Sequence, residues 1–140
     1  MQIPRIPYKM GLGRIFLGKR ILLLGTRGRK TKKLRITPLQ YDIYKDRYIV
    51  GSMRGIHSDW FKNIQKDNSV LIKIGDKSYK GVATPITDTK KNLAYLKFRL
   101  LKHPFMIRTI LKLDGIKDIT DEHELFSYVR NIAFVKIKLI

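Results

Sequence analysis

The side chains best equipped for chemistry are gathered in one place. In GTRGRKTKKLRITPLQY, residues 25–41, six of the nine positions from Arg27 to Arg35 are cationic, and the chain turns apolar at Ile36. A guanidinium grips carboxylate or phosphate through a planar fork, and an ammonium acts as a movable point charge. A turn around Gly28, which is free to take a positive φ, can aim successive N–H groups into a concavity that holds an anion. Arg29, Lys30 and Arg35 are the candidates to close around it. A charge run at a hairpin tip can equally be solvated. The apolar return over residues 36–39 argues for a ligand, because it sets a surface the size of an aromatic ring beside the cations.

Other chemistries find little support. The chain has no cysteine, which removes disulfides, thiolate metal sites and thiol nucleophiles. His57, His103 and His123 are too widely spaced for a metal pair on one helix face. His57-Ser58-Asp59 contains the three residue types of a catalytic triad, but adjacency along the chain does not put them in hydrogen-bonding order. His57, just before a helix, reads as a loop residue that could at most donate a hydrogen bond or proton to an acceptor. Thirty Lys and Arg against eleven Asp and Glu give a net charge of +19, so an anionic partner is expected: nucleic acid, acidic lipid or a charged cofactor. The opening MQIPRIPYKMG has no signal-peptide core, and the longest apolar run, residues 21–24, falls far short of the ~20 residues that span a bilayer. A cytoplasmic protein is expected, one domain over residues 1–140 with residues 1–19 as an N-terminal arm.

The elements that must position the cations follow from pattern. Residues 20–26 form a short apolar run that suits a strand buried on both faces. Residues 33–44 are rich in β-formers, with Leu34 and Ile36 on one face, Arg35 and Thr37 on the other, and Pro38 predicting a bulge or an edge. Asp46 supplies a turn into a strand over 47–53. Ser58 caps a helix that carries Asp59 in its first turn and buries Trp60, Ile64 and Phe61. Strands over 69–74 and 79–87 flank a hairpin at Gly75-Asp76-Lys77. From Lys90 the pattern is helical, with Leu93, Leu96, Leu100 and Leu101 on one stripe. It breaks before Pro104, resumes over 105–113, stops at Asp114-Gly115, and restarts from Asp121 to Val129. Residues 132–139 close the chain as a strand. The fold class is mainly β with helices (α+β): a small split β-barrel of about six antiparallel strands, one short inserted helix and a helical excursion before the last strand. An antiparallel sandwich is the fallback.

The strings LLLGTRGRKTKKLRITPLQY, DRYIVGSMRG and SDWFKNIQKDNSV together resemble the deazaflavin-dependent nitroreductase family, split-barrel oxidoreductases that bind coenzyme F-420. The likeness covers residues 20–87 and returns at 130–139. It implies hydride transfer between the reduced deazaflavin and a small electron-poor substrate. It also implies that Arg29, Lys30 and Arg35 hold the phosphodiester and glutamate tail, that Pro38 and Leu39 line the ring, and that Ser52, Arg54 and Gly55 approach the phosphate or ring edge. Trp60 and Asn63 belong to the helix that closes the pocket, and Trp60→Ala is expected to weaken cofactor binding more than it unfolds the domain. The chain has Thr31-Lys32 where the family pattern has Ser-Gly, and Arg54-Gly55 where it has Gly-Gly. FMN is the alternative cofactor. Residues 98–129, where the family places substrate-facing tyrosines, do not align with its pattern; Tyr128 is the local candidate there, with Tyr8 a second from the N-terminal segment.

Such chemistry needs no group with a shifted pKa, since the cofactor carries the electrons and the protein positions it. The rival classes are a nucleic-acid-binding barrel that stacks bases on Tyr41, Tyr44, Tyr48 and Tyr79, and a peripheral membrane protein held weakly by its basic N-terminus. A homodimer is compatible with an exposed apolar barrel face.

Overall fold

The computed structural model describes residues 20–52 and 55–140, with the backbone alone at 52 and 55. Residues 1–19, with Tyr8, and Arg54 lie outside the described residues. The chain forms two compact units, one running to Pro85 and completed by Ala133–Ile140, the other spanning Ile86–Ile132.

The first unit is a closed barrel of six antiparallel strands: β1 (Ile21–Arg27), β2 (Leu34–Tyr44), β3 (Arg47–Ser52), β4 (Ser69–Ile74), β5 (Lys77–Pro85) and β6 (Ala133–Leu139), in the order β1-β2-β3-β6-β5-β4. Period-two patterning places Leu22 and Leu24 of β1, Val50, Ile72, Val135 and Ile137 in a fully buried core. A side chain at Gly25 of β1 or Gly81 of β5 would press on the neighbouring strands, so each strand lies close to its neighbours there.

β2 changes partner midway. Its residues 34–40 pair with β1, and only Tyr41–Tyr44 pair with β3. Gly51 and Ser52 of β3 pair with β6 alone. The barrel therefore splits beside the first half of β2, and Pro38, which has no N–H to give a second neighbour, lies on that split. The expected edge is there without a bulge, since the register from Leu22↔Leu39 to Leu23↔Pro38 is continuous.

Two-residue turns join β2 to β3 and β4 to β5. Lys45 and Asp46 both take φ > 0 between β2 and β3, and Gly75 does so between β4 and β5, which makes that turn one residue shorter than the sequence predicts. Between β3 and β4 stands helix α1 (Asp59–Lys66), with Trp60, Phe61, Asn63 and Ile64 buried on one face.

The second unit is three helices: α2 (Thr89–Lys102), α3 (Pro104–Leu113) and α4 (Glu122–Val129). Asp88 caps α2 through the Lys90 N–H, and Asp121 caps α4 through those of His123 and Glu124. Pro104 sits in the first turn of α3, where its missing N–H costs nothing. That helix ends in a Schellman motif: Gly115 at φ 92°, its N–H to Lys112 O and the Ile116 N–H to Leu111 O. Leu96, Ile107, Leu111, Leu125 and Val129 form a second core. Leu93 and Leu100 pack against it, but Leu101 is 85% exposed, because one further residue rotates it about 100° off the stripe. No helix among the described residues is long and apolar enough to cross a membrane.

The β1–β2 turn departs from expectation in one respect. Gly28 does not take a positive φ; Lys32 does, at 62°. Gly28 is required by space, since a Cβ there would lie 2.7 Å from Thr31 Oγ1 and 3.3 Å from Lys33 O. Lys32 occupies the left-handed position where the resembling pattern has Gly. Lys32→Gly is therefore expected to stabilise the protein by about 0.5–1 kcal/mol and Gly28→Ala to destabilise it by about 1–3 kcal/mol, both read from urea midpoints.

Candidate functional site

The cationic turn is built by its own backbone. The Gly28 N–H donates to Lys33 O at 2.8 Å, the Lys32 N–H donates to Gly28 O at 2.9 Å, and Thr31 Oγ1 accepts from the Lys33 N–H at 3.3 Å. The N–H groups of Lys30 and Thr31 meet no acceptor among the described residues. Two adjacent unused donors beside a cluster of cations are what an anion-binding turn requires.

Arg29 has a different task. Its main-chain N–H donates to Asn63 Oδ1 at 3.2 Å, and its guanidinium reaches the same oxygen at 2.9 Å and Asp59 Oδ1 at 3.2 Å. Asn63 is 3% exposed and donates from Nδ2 to Thr26 Oγ1 at 3.2 Å; Thr26 is fully buried. Asp59, which the sequence marks only as a favourable charge in the first turn of a helix, thus also holds an arginine. The turn, the end of β1 and the first two turns of α1 are tied by one polar chain. Lys30 and Arg35 form no ion pair with a described carboxylate.

Between turn and helix lies a cleft of about 690 Å³, lined by Arg29, Lys30, Thr31, Arg35, Trp60 and Asn63 together with Thr26, Gly28, Leu34, Ile36, Thr37 and Asp59. Six of the site residues proposed from sequence are thereby brought together. Pro38 is half-buried on β2 outside that lining, and Leu39 belongs to the barrel core. The Ser52 backbone pairs with Ala133, Gly55 opens a short turn of 3₁₀ helix, and His57 at its end is exposed. Ile36 and Thr37 had a signal in the sequence, the apolar return after the charge run, but not one that assigned them individually.

Trp60 is both wall and core. It is 6% exposed and meets Phe61 edge-on at 6.1 Å. Truncation to alanine there removes packing worth about 3–5 kcal/mol, so unfolding, and not selective loss of ligand, is the dominant effect expected of that change. Tyr41 and Tyr48 pack on each other and against the barrel core, which occupies two of the four rings a base-stacking surface would need.

Tyr128 lies in the helical unit, where its hydroxyl donates to Asp114 Oδ2 at 2.5 Å. Burial, and then this hydrogen bond and the carboxylate's charge, push its pKa well above the usual phenol value.

Comparison with known proteins places this architecture. An F420-H2 dependent reductase is 18% identical, with a TM-score of 0.56 over 85% of this chain and 94% of that one. A NimC/NimA family protein from Clostridium acetobutylicum is 14% identical, with a TM-score of 0.54 over 91% and 82%. The haem storage protein from Vibrio cholerae is 8% identical, with a TM-score of 0.59 over 96% and 92%. At such identities the likeness is one of fold, and it defines a split-barrel protein, here one whose cleft is lined by cations. No curated protein matches the sequence. Residues 7–104, well over half of the chain, match the F420H(2)-dependent quinone reductase family, and the chain belongs to it. It is accordingly a deazaflavin-dependent oxidoreductase, and the family's coenzyme is F420.

The residues present fit that coenzyme. Its anionic part needs cations and N–H donors not already consumed, which Lys30, Arg35 and the turn amides supply. Asp59, the one carboxylate among the described lining residues, is paired with Arg29.

Asn63→Ala should cost about 1–3 kcal/mol, since it strands buried polar groups, whereas Asp59→Ala, which removes an exposed ion pair, should cost less than about 1 kcal/mol; urea denaturation separates the two. The raised Tyr128 pKa means that folding favours the protonated phenol. Its contribution is complete below the unfolded value near 10 and lost as pH rises beyond it. Tyr128→Phe should lower stability by about 1 kcal/mol at neutral pH and abolish that part of the alkaline loss, as followed by thermal melts from pH 8 to 11.

Proposed function

We propose that the protein transfers a hydride from reduced coenzyme F-420 to a small, flat, electron-poor acceptor of the quinone or nitroaromatic type. The observation that carries this reading is the cleft between the β1–β2 turn and α1. Its lining combines Lys30 and Arg35, which pair with no described carboxylate, and the Lys30 and Thr31 amides, which meet no described acceptor, with an apolar wall of Ile36 and Trp60. Bound there, the coenzyme supplies two electrons and a proton as hydride, and solvent supplies the second proton to the reduced acceptor.

The work left to the chain is binding and orientation. Lys30 and Arg35 neutralise the phosphodiester and glutamate tail, and the Lys30 and Thr31 amides offer donors to one anionic oxygen. Arg29 and Asn63 hold the turn at a fixed distance from α1, so the cleft width does not depend on the ligand. Trp60 and Ile36 keep water from one side of the ring. No side chain is required to change protonation state, since the cofactor carries the electrons.

Removing one charge-assisted contact should weaken binding by about tenfold or more. In fluorescence titrations, Lys30→Gln and Arg35→Gln are expected to raise the Kd for coenzyme F-420 by at least that factor. Turnover at saturating cofactor should be nearly unchanged. Collapse of saturated turnover at unaltered affinity would overturn the assignment, and tighter binding of FMN in a parallel titration would replace the cofactor.

A further inference from the structure

Helix α3 divides its side chains in an unusual way. Met106, Ile107, Ile110 and Leu111 turn toward the helical core, which accounts for the apolar stripe a packed helix needs. The opposite face carries Phe105, Arg108, Thr109, Lys112 and Leu113, all exposed. Phe105 is 85% and Leu113 81% exposed, and Leu101, four residues before Phe105 at the end of α2, is 85% exposed. The Thr109 hydroxyl donates back to Phe105 O at 2.8 Å, which satisfies its polar group within the helix. The ten residues of α3 include no carboxylate.

We infer that the outer face of α3 docks on the surface of an anionic lipid bilayer. Large apolar side chains and cations on one face, with acids absent, are the composition of a helix that lies in the interface plane. Phe105 and Leu113 stand about 12 Å apart along the helix at 1.5 Å per residue, with Arg108 and Lys112 between them. That spacing makes no compact pocket-filling cluster of the kind a protein interface uses as its hot spot. It does suit separate insertions among acyl chains, with the cations reaching outward to lipid phosphates. The net charge of +19 draws the whole molecule to such a surface, and α3 gives it an orientation that charge alone does not. The inference stands apart from the cofactor reading and needs no activity to test it.

The full-length protein is to be sedimented with vesicles of phosphatidylcholine alone and with 40% phosphatidylglycerol. Binding is expected only to the anionic vesicles, with Arg108→Gln and Lys112→Gln each weakening it about fivefold. Phe105→Glu/Leu113→Glu should weaken it by at least tenfold while leaving the thermal melt in place, because both positions are exposed. In Phe105→Trp, brominated acyl chains should quench the added fluorescence, while the buried Trp60 remains the background. Failure of the wild type to bind overturns the proposal. So does binding that the double glutamate variant retains in full, which would assign the attraction to other basic parts of the chain. A wild-type dimer dissociated by the same variant, without lipid binding, would make the face a contact between copies and equally sink it.

Discussion

A single buried amide connects the parts of this molecule that matter for its chemistry. Asn63 has both ends of its side chain engaged, the oxygen by Arg29 and the nitrogen by Thr26. A buried polar group is tolerated only when so satisfied. The constraint works in both directions: the amide requires its partners, and the partners fix the turn against the helix. Thr26 ends β1, Arg29 sits in the turn and Asn63 in α1, so one hydrogen-bonded chain sets the width of the cleft. The exposed Asp59 carboxylate contributes less to stability, but it occupies the remaining edge of the guanidinium and so keeps Arg29 from turning toward solvent.

This division of labour changes how the charge run is read. Six cations within nine residues do not act as one anion trap. Arg29 is structural, Arg27 lies 3.7 Å from the Asp67 carboxylate, and Lys32 carries the left-handed conformation on which the turn depends. Lys33 is outside the cleft lining, so Lys30 and Arg35 remain, with two main-chain amides. A flat redox cofactor with a charged tail needs little more than that at one end and an apolar wall at the other. The split in the barrel offers such a wall, because β2 loses its second neighbour over the half that contains Ile36, Thr37 and Pro38.

The helical unit follows a different logic. Its core is built from one face of each helix, and its caps are completed by local carboxylates and a glycine at the end of α3. What that core does not require is a phenylalanine and two leucines on the outside, in the company of lysines and arginines. Residues of that kind at an exposed surface lower solubility unless something covers them.

Much of this was legible from the amino-acid order, because the signals are local. Alternation marked the strands, Asp46 and Gly75 marked the turns, Pro104 broke the helical run, Asp114-Gly115 stopped it and Asp121 restarted it. Each depends on φ/ψ preferences or on periodicity within a few residues. The succession of motifs from the cationic turn to the tryptophan helix was likewise sufficient to indicate the family. Tertiary structure alone decided which cations are spent and which are available, since the partners of Arg29 lie 30 and 34 positions away and meet it only when the barrel closes. It also sent Leu39 into the core, made Trp60 a packing residue, moved the left-handed position from Gly28 to Lys32 and left Leu101 in solvent. Those outcomes depend on strand register and helix rotation, where a shift of one residue reverses inside and outside, and no local pattern carries that information.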